Sequence, residues 1–319
     1  MKFFLLLVNR IRFNFYFSNS ILPFATLLYV INKGLLRTVS RKIKVNGQPV
    51  KYWGYQIQFP KDVGQGILTS IYWNKEVGFE KWTGRTLISA FKQAEAFIDI
   101  GANFGFYTAL ASLANSKIEI HAIEPLTENF GLLSKFVTHN KCRASLYQFA
   151  CSNVDGKEAI YYPKSKSHQE KSTASLNKNF FYNKRYKEMG KETIQCTTLD
   201  KHFENNFHQK ISKLVIKVDV EGHELQVLQG AQDLLRLHKP LVVCEVSDTS
   251  EGWWILLEKI DYCMYGLSSA GLIKMQKIDW GQYGFRDFLL VPQKSILARR
   301  NLLSYDELDG LNMFSESKA

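Results

Sequence analysis

Apolar and polar positions alternate along residues 96–292 in a way that predicts strands separated by helices. Apolar runs of strand length occur at 96–100, 117–124, 145–150, 211–220, 241–246 and 285–291. Helix-forming stretches lie at 104–114, 129–139, 224–237 and 252–262. Strands joined by helical connections form a largely parallel, doubly wound α/β sheet. Ligands bind such sheets beyond the carboxyl ends of the strands, so we searched those ends for chemistry.

The stretch 154–196 interrupts this rhythm. A short strand is predicted at 158–162, and a polar run without helix or strand periodicity then extends to Thr193. Residues 164–191 carry eight lysines and arginines against two glutamates. A long polar loop in a compact domain is either functional or disordered. We interpret 163–192 as a basic insertion that covers an anionic acceptor, with a solvated loop as the alternative.

A second basic region lies at the start of the chain. Net charge is +11 over 319 residues, and residues 1–44 hold eight lysines and arginines and no acidic residue. The charge-free stretch 13–32 has membrane-spanning length, but several polar residues interrupt it. Basic residues flanking aromatic and aliphatic ones favour a segment lying in the headgroups of an anionic membrane. A true span and packing against the body are the alternatives.

These patterns divide the chain into four parts. We predict a basic apolar segment at 1–44, a lead-in at 45–95, a catalytic domain at 96–292 and a C-terminal tail at 293–319. The five cysteines are scattered and contain no Cys-x-x-Cys pair, so neither a disulfide framework nor a thiolate zinc site is predicted. A reducing compartment fits best, which indicates the cytoplasm, with the inner face of a membrane as a further location.

The turn after the first core strand carries the first candidate site. It reads Asp99-Ile-Gly101-Ala-Asn103-Phe-Gly105, and Glu124 ends the next strand, where an acid can accept the two hydroxyls of a ribose. A dinucleotide fingerprint needs glycine where Asn103 stands. The Asp99 carboxylate would repel a diphosphate and attract an ammonium group. The turn therefore favours a cationic nucleoside ligand over a dinucleotide.

Acidic residues also follow the fourth and fifth core strands. Asp219 and Glu221 fall on the same side of an extended strand end, where a carboxylate can act as general base, orient a hydroxyl or balance a positive charge. Glu221 has the alternative of favouring a helix N-terminus. His223 is either a base or a helix residue, and Glu245 interrupts a buried strand pattern, which indicates a site. Two acids and a histidine do not establish a metal, and none is predicted.

The motifs FIDIGANFGFYT, HAIEPLTENF, FACSNVDG, IKVDVEGHELQVLQGA, VVCEVS and FLLVP occur in that order. Together they resemble the FkbM family of S-adenosylmethionine-dependent methyltransferases, from about Val77 to Pro292. The resemblance implies a Rossmann-like class I methyltransferase fold with a seven-stranded, mostly parallel sheet and one reversed strand. It also implies methyl transfer to hydroxyls of sugars, glycolipids or related natural products.

The same resemblance assigns roles to individual residues. It implies a cofactor site formed by Asp99, Gly101, Asn103, Gly105, Tyr107, Glu124, Ser152 and Asp219. Within it, Glu124 takes the ribose hydroxyls and Ser152 lies near the adenine. Asp219 and Glu221 face the methyl group and the acceptor, so either is the expected base, with His223 and Glu245 in reserve. His223 departs from the small residue that the family often has there.

Two other function classes stay open at this point. An RNA methyltransferase would use the same sheet, and Tyr182, Arg185 and Tyr186 interleave aromatic and cationic residues as nucleic-acid binders do. The motif of an amide or acid followed by two prolines and an aromatic residue, which holds a flipped base, is missing from the sequence. A dinucleotide oxidoreductase is the other class. We favour a small-molecule or glycan acceptor, anionic or lipid-linked, over nucleic acid.

Overall fold

The computed structural model describes residues 45–164, 173–181, 188–204, 210–246, 250–276 and 286–316. The predicted membrane segment 1–44 lies outside them, and so do 165–172 and 182–187 of the basic insertion, including its interleaved aromatic and cationic residues. Within the described ranges, no helix combines the length and the apolar character that crossing a bilayer requires. The chain forms two compact units, Met1–Lys81 and Trp82–Ala319.

Among its described residues, the first unit contains a hairpin and one α-helix. Strands β1 (Pro49–Tyr52) and β2 (Tyr55–Gln58) pair antiparallel, and helix α1 (Gln65–Asn74) follows. The buried Tyr52 hydroxyl donates to the Phe79 carbonyl at 2.8 Å. The hairpin is thereby fastened to the end of its own unit.

The second unit holds twelve described strands and eight α-helices. The strands are β3 (Ala96–Ile100), β4 (Glu119–Ile123), β5 (Ser145–Tyr147), β6 (Ala150–Cys151), β7 (Gly156–Pro163), β8 (Met189–Thr197), β9 (Leu214–Val218), β10 (Leu241–Glu245), β11 (Tyr262–Ser268), β12 (Gly271–Lys274), β13 (Asp287–Pro292) and β14 (Leu302–Leu303). The helices are α2 (Lys81–Phe91), α3 (Phe106–Ala114), α4 (Thr127–His139), α5 (Leu199–Phe203), α6 (Glu224–Gln229), α7 (Gln232–His238), α8 (Gly252–Ile260) and α9 (Tyr305–Gly310).

Nine of these strands form the central sheet, in the order β14-β12-β11-β13-β10-β9-β3-β4-β5. Neighbours from β10 to β5 pair parallel, and those from β10 to β14 pair antiparallel. The predicted α/β class is confirmed. The described sheet has two strands more than the seven expected, because the antiparallel edge also includes β12 and the short β14.

Strand alternation gives the sheet two different faces. Ile98, Ile216, Val242 and Leu290, from four adjacent strands, belong to one buried apolar cluster. The residues next to them in sequence point to the opposite face. Asp99 of β3 is one of these, so its side chain leaves the apolar cluster and turns toward α3.

The predicted helix 224–237 is two helices, α6 and α7, separated at Gly230. A Cβ atom on Gly230 would lie 2.0 Å from the Ser152 carbonyl oxygen. At this break, the segment after β6 can therefore approach the helix pair. The leucine spacing alone did not predict the break.

The predicted insertion 163–192 begins and ends inside a hairpin. Strands β7 and β8 pair antiparallel from Gly156↔Cys196 to Pro163↔Met189, so residues 189–192 are strand and not loop. Alternate residues of β8 are buried, and Ile194 packs with Ile160 in a small apolar cluster. The periodicity before Thr193 was missed because glycine, lysine and glutamate occupy it.

Candidate active site

A cleft of about 630 Å³, open to solvent, lies at the carboxyl ends of β3, β4 and β9. Six of the predicted site residues line it, namely Gly101, Asn103, Glu124, Asp219, Glu221 and His223. The rest of the wall is mostly apolar and comes from the strands and their connections, from Asn129 of α4 and from two residues of the insertion. A concave surface thus lies at the strand ends, where a ligand site is expected.

Gly101 brings the first turn against the end of β9. Its φ of 76° is left-handed, and a Cβ atom there would lie 1.9 Å from the Asp219 carbonyl oxygen. The Asp219 amide donates to the Ile100 carbonyl at 3.1 Å. The missing side chain of Gly101 therefore leaves room for the Asp219 backbone. This close approach brings Asn103 and Asp219 to one cleft.

Glu124 is buried, with 5% of its surface exposed, and it is fixed at both carboxylate oxygens. Oε2 accepts from the Asn103 amide at 2.9 Å, and Oε1 accepts from the Leu126 amide at 3.0 Å and from Asn129 Nδ2 at 3.4 Å. Burial raises the pKa of Glu124 to about 7, and these hydrogen bonds oppose the rise. Of the roughly four acceptor positions of a carboxylate, these three donors leave one open, on Oε2, which can bind a ligand hydroxyl.

The side-chain oxygen of Asn103 indicates which kind of ligand the cleft can bind. Its Oδ1 atom is buried and has no hydrogen-bond partner among the described residues. A buried acceptor without a partner is costly, and a ligand donor would satisfy it.

The charged residues of the lining are Glu124, Asp219 and Glu221, and no lysine or arginine of the described chain joins them. An acid-only lining fits a cationic nucleoside such as S-adenosylmethionine and not a diphosphate.

The turn after β9 is held by a buried carboxylate. Glu221 and Gly222 have φ of 55° and 94°, both left-handed. Glu224 Oε1 accepts from the Gly222 amide at 2.8 Å and from the Val220 amide at 3.4 Å. Burial raises the pKa of Glu224 to about 7. Glu224 therefore supports the turn that places Glu221 at the cleft.

His223 bonds Ser152 across the cleft wall. The distance from His223 Nε2 to Ser152 Oγ is 2.9 Å, and burial lowers the pKa of His223 to about 4. The imidazole is neutral at physiological pH. Ser152 itself does not line the cleft, whereas its neighbour Cys151 does.

Four further predicted residues lie outside the lining, each for a local reason. Asp99 is buried and accepts from Thr108 Oγ1 at 2.6 Å. Gly105 begins α3, where a Cβ atom would lie 2.7 Å from Leu133 Cδ1. Tyr107 is buried in the first turn of the same helix. Glu245 is half-buried at the end of β10, opposite Asp287 of β13.

Sequence reasoning missed a buried lysine behind the cleft. Lys217 is 5% exposed, and its Nζ atom donates to Asp219 Oδ2 at 2.8 Å and lies 4.9 Å from the centre of the Tyr107 ring. Its register partner on β3 is Asp99. The signal was present in the sequence, because Lys217 interrupts an apolar strand just as Glu245 does.

The basic insertion contributes to the cleft wall through two apolar residues. Ala174 and Leu176 line it. Between them, Ser175 exchanges two backbone hydrogen bonds with Tyr161 of β7, each of 2.9 Å. The described part of the insertion is thus fastened beside the site. Among the described residues, no group of three histidine, cysteine or acidic side chains is placed to hold a metal ion.

Comparison with solved structures finds similarity of fold at low sequence identity. An FkbM methyltransferase from Methylobacillus flagellatus KT is 16% identical, with 62% of this chain and 44% of that chain covered and a TM-score of 0.39. An O-methyltransferase from Bacillus cereus in complex with SAH is 10% identical, with 66% and 79% covered and a TM-score of 0.38. The O-methyltransferase TomG from Streptomyces achromogenes, in complex with SAM, is 8% identical, with 66% and 79% covered and a TM-score of 0.36.

This chain therefore spans less than half of the length of the M. flagellatus protein. No curated protein matches it. The family model described as "Methyltransferase FkbM domain" matches residues 99–274, which is more than half of the 319 residues. The resemblance carried by the sequence motifs is confirmed, and the chain belongs to the FkbM methyltransferase family.

Proposed function

We propose that this chain is an S-adenosylmethionine-dependent O-methyltransferase that methylates a hydroxyl of a sugar, glycan or glycolipid. Family membership supports methyl transfer. The observation that carries the cofactor is the lining of the cleft, with three carboxylates and no described lysine or arginine. A ligand that bears a sulfonium and an ammonium group is attracted by such a lining.

The first two strand ends hold the nucleoside. Glu124 accepts a ribose hydroxyl at the Oε2 position that its three protein donors leave open. Asn103 Oδ1 accepts a hydrogen bond from a donor group of the same ligand, which gives this buried oxygen a partner. Ala150 and Cys151, with Leu176 from the insertion, give the adenine an apolar wall.

The acceptor hydroxyl is activated at the third strand end. Bound S-adenosylmethionine supplies an electrophilic methyl group on a positively charged sulfur. A sugar hydroxyl is a weak nucleophile at neutral pH, so a base would remove its proton while the new O–C bond forms and the methyl C–S bond breaks, with S-adenosylhomocysteine as the leaving group. Asp219 and Glu221 line the cleft and take this role. His223 is a poorer candidate, since its Nε2 is bonded to Ser152.

The basic insertion supports an anionic acceptor. Its described residues Ala174 and Leu176 form part of the wall, and eight lysines and arginines lie between 164 and 191. Cations at the rim attract a phosphorylated or uronic glycan electrostatically. The basic segment 1–44 supports a lipid-linked acceptor presented at the cytoplasmic face of a membrane.

Two measurements test this proposal. Calorimetric titration of the full chain with S-adenosylhomocysteine should give saturable one-site binding, and NAD should give none. Transfer of labelled methyl groups from S-adenosylmethionine is then measured on neutral glycans, uronic glycans, polyprenyl-linked glycans and RNA. Label in an alkali-stable ether on a glycan supports the proposal. Absence of S-adenosylhomocysteine binding refutes the cofactor, and label in RNA alone refutes the acceptor.

A further inference from the structure

The buried face behind the cleft carries more ionisable groups than a packed sheet face requires. Asp99, Lys217 and Asp287 come from three different strands, and Lys217 is bonded to Asp219 at the cleft. Burial raises the pKa of Asp99 and of Asp287, and the Lys217 ammonium opposes the rise in both. A buried lysine with carboxylates on several sides is costly to assemble, so its place beside a cleft points to function.

We propose that Lys217 is a positioning residue for methyl transfer, holding the Asp219 carboxylate aimed at the cleft. The proposal rests on the proposed function, because it gives Asp219 a role at the reacting end of the cofactor. Lys217 itself does not line the cleft, so it acts through Asp219.

The geometry of the pair favours orientation. The Lys217 and Asp219 side chains are 6% and 24% exposed, and their Nζ–Oδ2 distance is 2.8 Å. A charge-assisted hydrogen bond of this length, shielded from water, fixes one carboxylate oxygen and leaves the other for a ligand. The ammonium is fixed in turn by the Tyr107 ring, 4.9 Å away. Tyr107 is thereby placed in the support of the site and not in its lining.

Several ionisable groups surround Lys217 from the packed elements, and they decide how a variant titrates. Those that interact with Lys217 itself are Asp99 from β3, Tyr107 from α3, Asp219 after β9, Cys244 from β10 and Asp287 from β13, and Glu224 from α6 and Glu245 from β10 act on Cys244 in turn. Without the ammonium, this set carries uncompensated negative charge in a buried space. It should therefore bind a proton at higher pH than in the wild type.

The test uses two stable cofactor analogues in calorimetric titrations from pH 5.5 to 8.5. Sinefungin carries an ammonium group where the methyl-bearing sulfonium stands, and S-adenosylhomocysteine is uncharged there. The ratio of their dissociation constants reports the charge at the methyl end. Protonation of Glu124 affects both analogues alike through the ribose and cancels in the ratio.

As the pH is lowered, the preference for sinefungin over S-adenosylhomocysteine should disappear. In Lys217→Met, we expect the midpoint of this loss at a pH about one to three units higher than in the wild type. Lys217→Arg keeps the charge and should restore the wild-type midpoint. Lys201→Met is the matched control, since it removes an ion pair of 2.9 Å with Asp155 on an exposed surface. A purely structural role would weaken both analogues equally at every pH and leave the midpoint unchanged, and that result overturns the proposal.

A second comparison keeps the proposal testable if Lys217→Met does not fold. Asp219→Asn and the double variant Lys217→Met/Asp219→Asn contain no unpaired Asp219 carboxylate. If Lys217 acts through Asp219, the two variants should show the same analogue ratio at every pH, and a difference between them overturns the proposal. Failure of the wild type to bind either analogue instead refutes the proposed cofactor, and the positioning role falls with it.

Discussion

The binding of cofactor should release a proton from Glu124. This carboxyl is buried, its pKa is raised to about 7, and at pH 6 it is therefore about nine-tenths protonated. Ribose hydroxyls donate hydrogen bonds to the ionised form, so bound ligand favours loss of that proton. Below pH 7, the dissociation constant of S-adenosylhomocysteine should rise by up to about tenfold per pH unit, and above pH 8 it should be nearly constant.

The assay is calorimetry at pH 6 in buffers of different ionisation enthalpy, in which the slope of heat against buffer enthalpy counts protons. We expect release of about 0.9 proton per ligand in the wild type. Glu124→Gln should release none and bind about 1 to 3 kcal/mol more weakly, because a charged acceptor is lost.

Glu224→Gln provides the matched control. Its pKa is also raised to about 7, but its carboxylate bonds the Gly222 and Val220 amides and is not in the cleft lining. On ligand binding, Glu224→Gln should release the same number of protons per ligand as the wild type. Equal release by Glu124→Gln and the wild type would refute the reasoning, since the proton would then come from another group.

Four further predictions concern Asp219, two glycines and Glu224. Asp219→Asn should abolish methyl transfer while circular dichroism shows a folded protein, and wild-type turnover would remove Asp219 from the role of base. Gly101→Ala should cost about 3 kcal/mol or more in urea unfolding, because its Cβ would lie 1.9 Å from the Asp219 carbonyl oxygen. Gly131→Ala in α4, with no atom within 4 Å, should instead stabilise by up to about 1 kcal/mol. Between pH 5 and 7, the stability of the wild type relative to Glu224→Gln in urea unfolding should fall by up to about 1.4 kcal/mol per pH unit.

The sign of the last prediction follows from burial. The folded-state pKa of Glu224 lies above its ordinary value of 4.5, so the native protein binds a proton that the unfolded chain releases. That contribution is fully present below pH 4.5 and is lost as the pH rises through 7. A stability that increased between pH 5 and 7 in the wild type, relative to Glu224→Gln, would contradict it.

The sequence predicted the parallel half of the sheet because buried strands and their helices carry strong apolar patterns. It also predicted that Glu124, Asp219 and Glu221 meet, since the carboxyl ends of parallel strands share one edge. Strand β11 was missed because it begins directly after α8, where Asp261 in a left-handed conformation is the separating signal. Gly230, which divides α6 from α7, acts through a contact with Ser152 that is distant in sequence.

Some side chains differ in position from the sequence prediction because of the face of the strand that they occupy. Asp99 belongs to a turn motif, yet alternation along β3 directs it toward Thr108 and not into the cleft. Motif spacing reports position along the chain and does not report this direction. Lys217 and Asp287 come from strands about 70 residues apart, so their proximity depends on the antiparallel placement of β13 beside β10.

The placement of charge explains how one cleft can bind a cation and still activate a hydroxyl. Were Lys217 in the lining, it would repel a sulfonium; behind Asp219, it offsets carboxylate repulsion while the cleft itself presents only acids among its described charged residues. The same ammonium opposes protonation of Asp99 and Asp287. In the proposed mechanism, an acid-lined cleft with a lysine on its buried side thus separates two requirements, attraction of the methyl donor and orientation of the base, onto opposite sides of the Asp219 carboxylate.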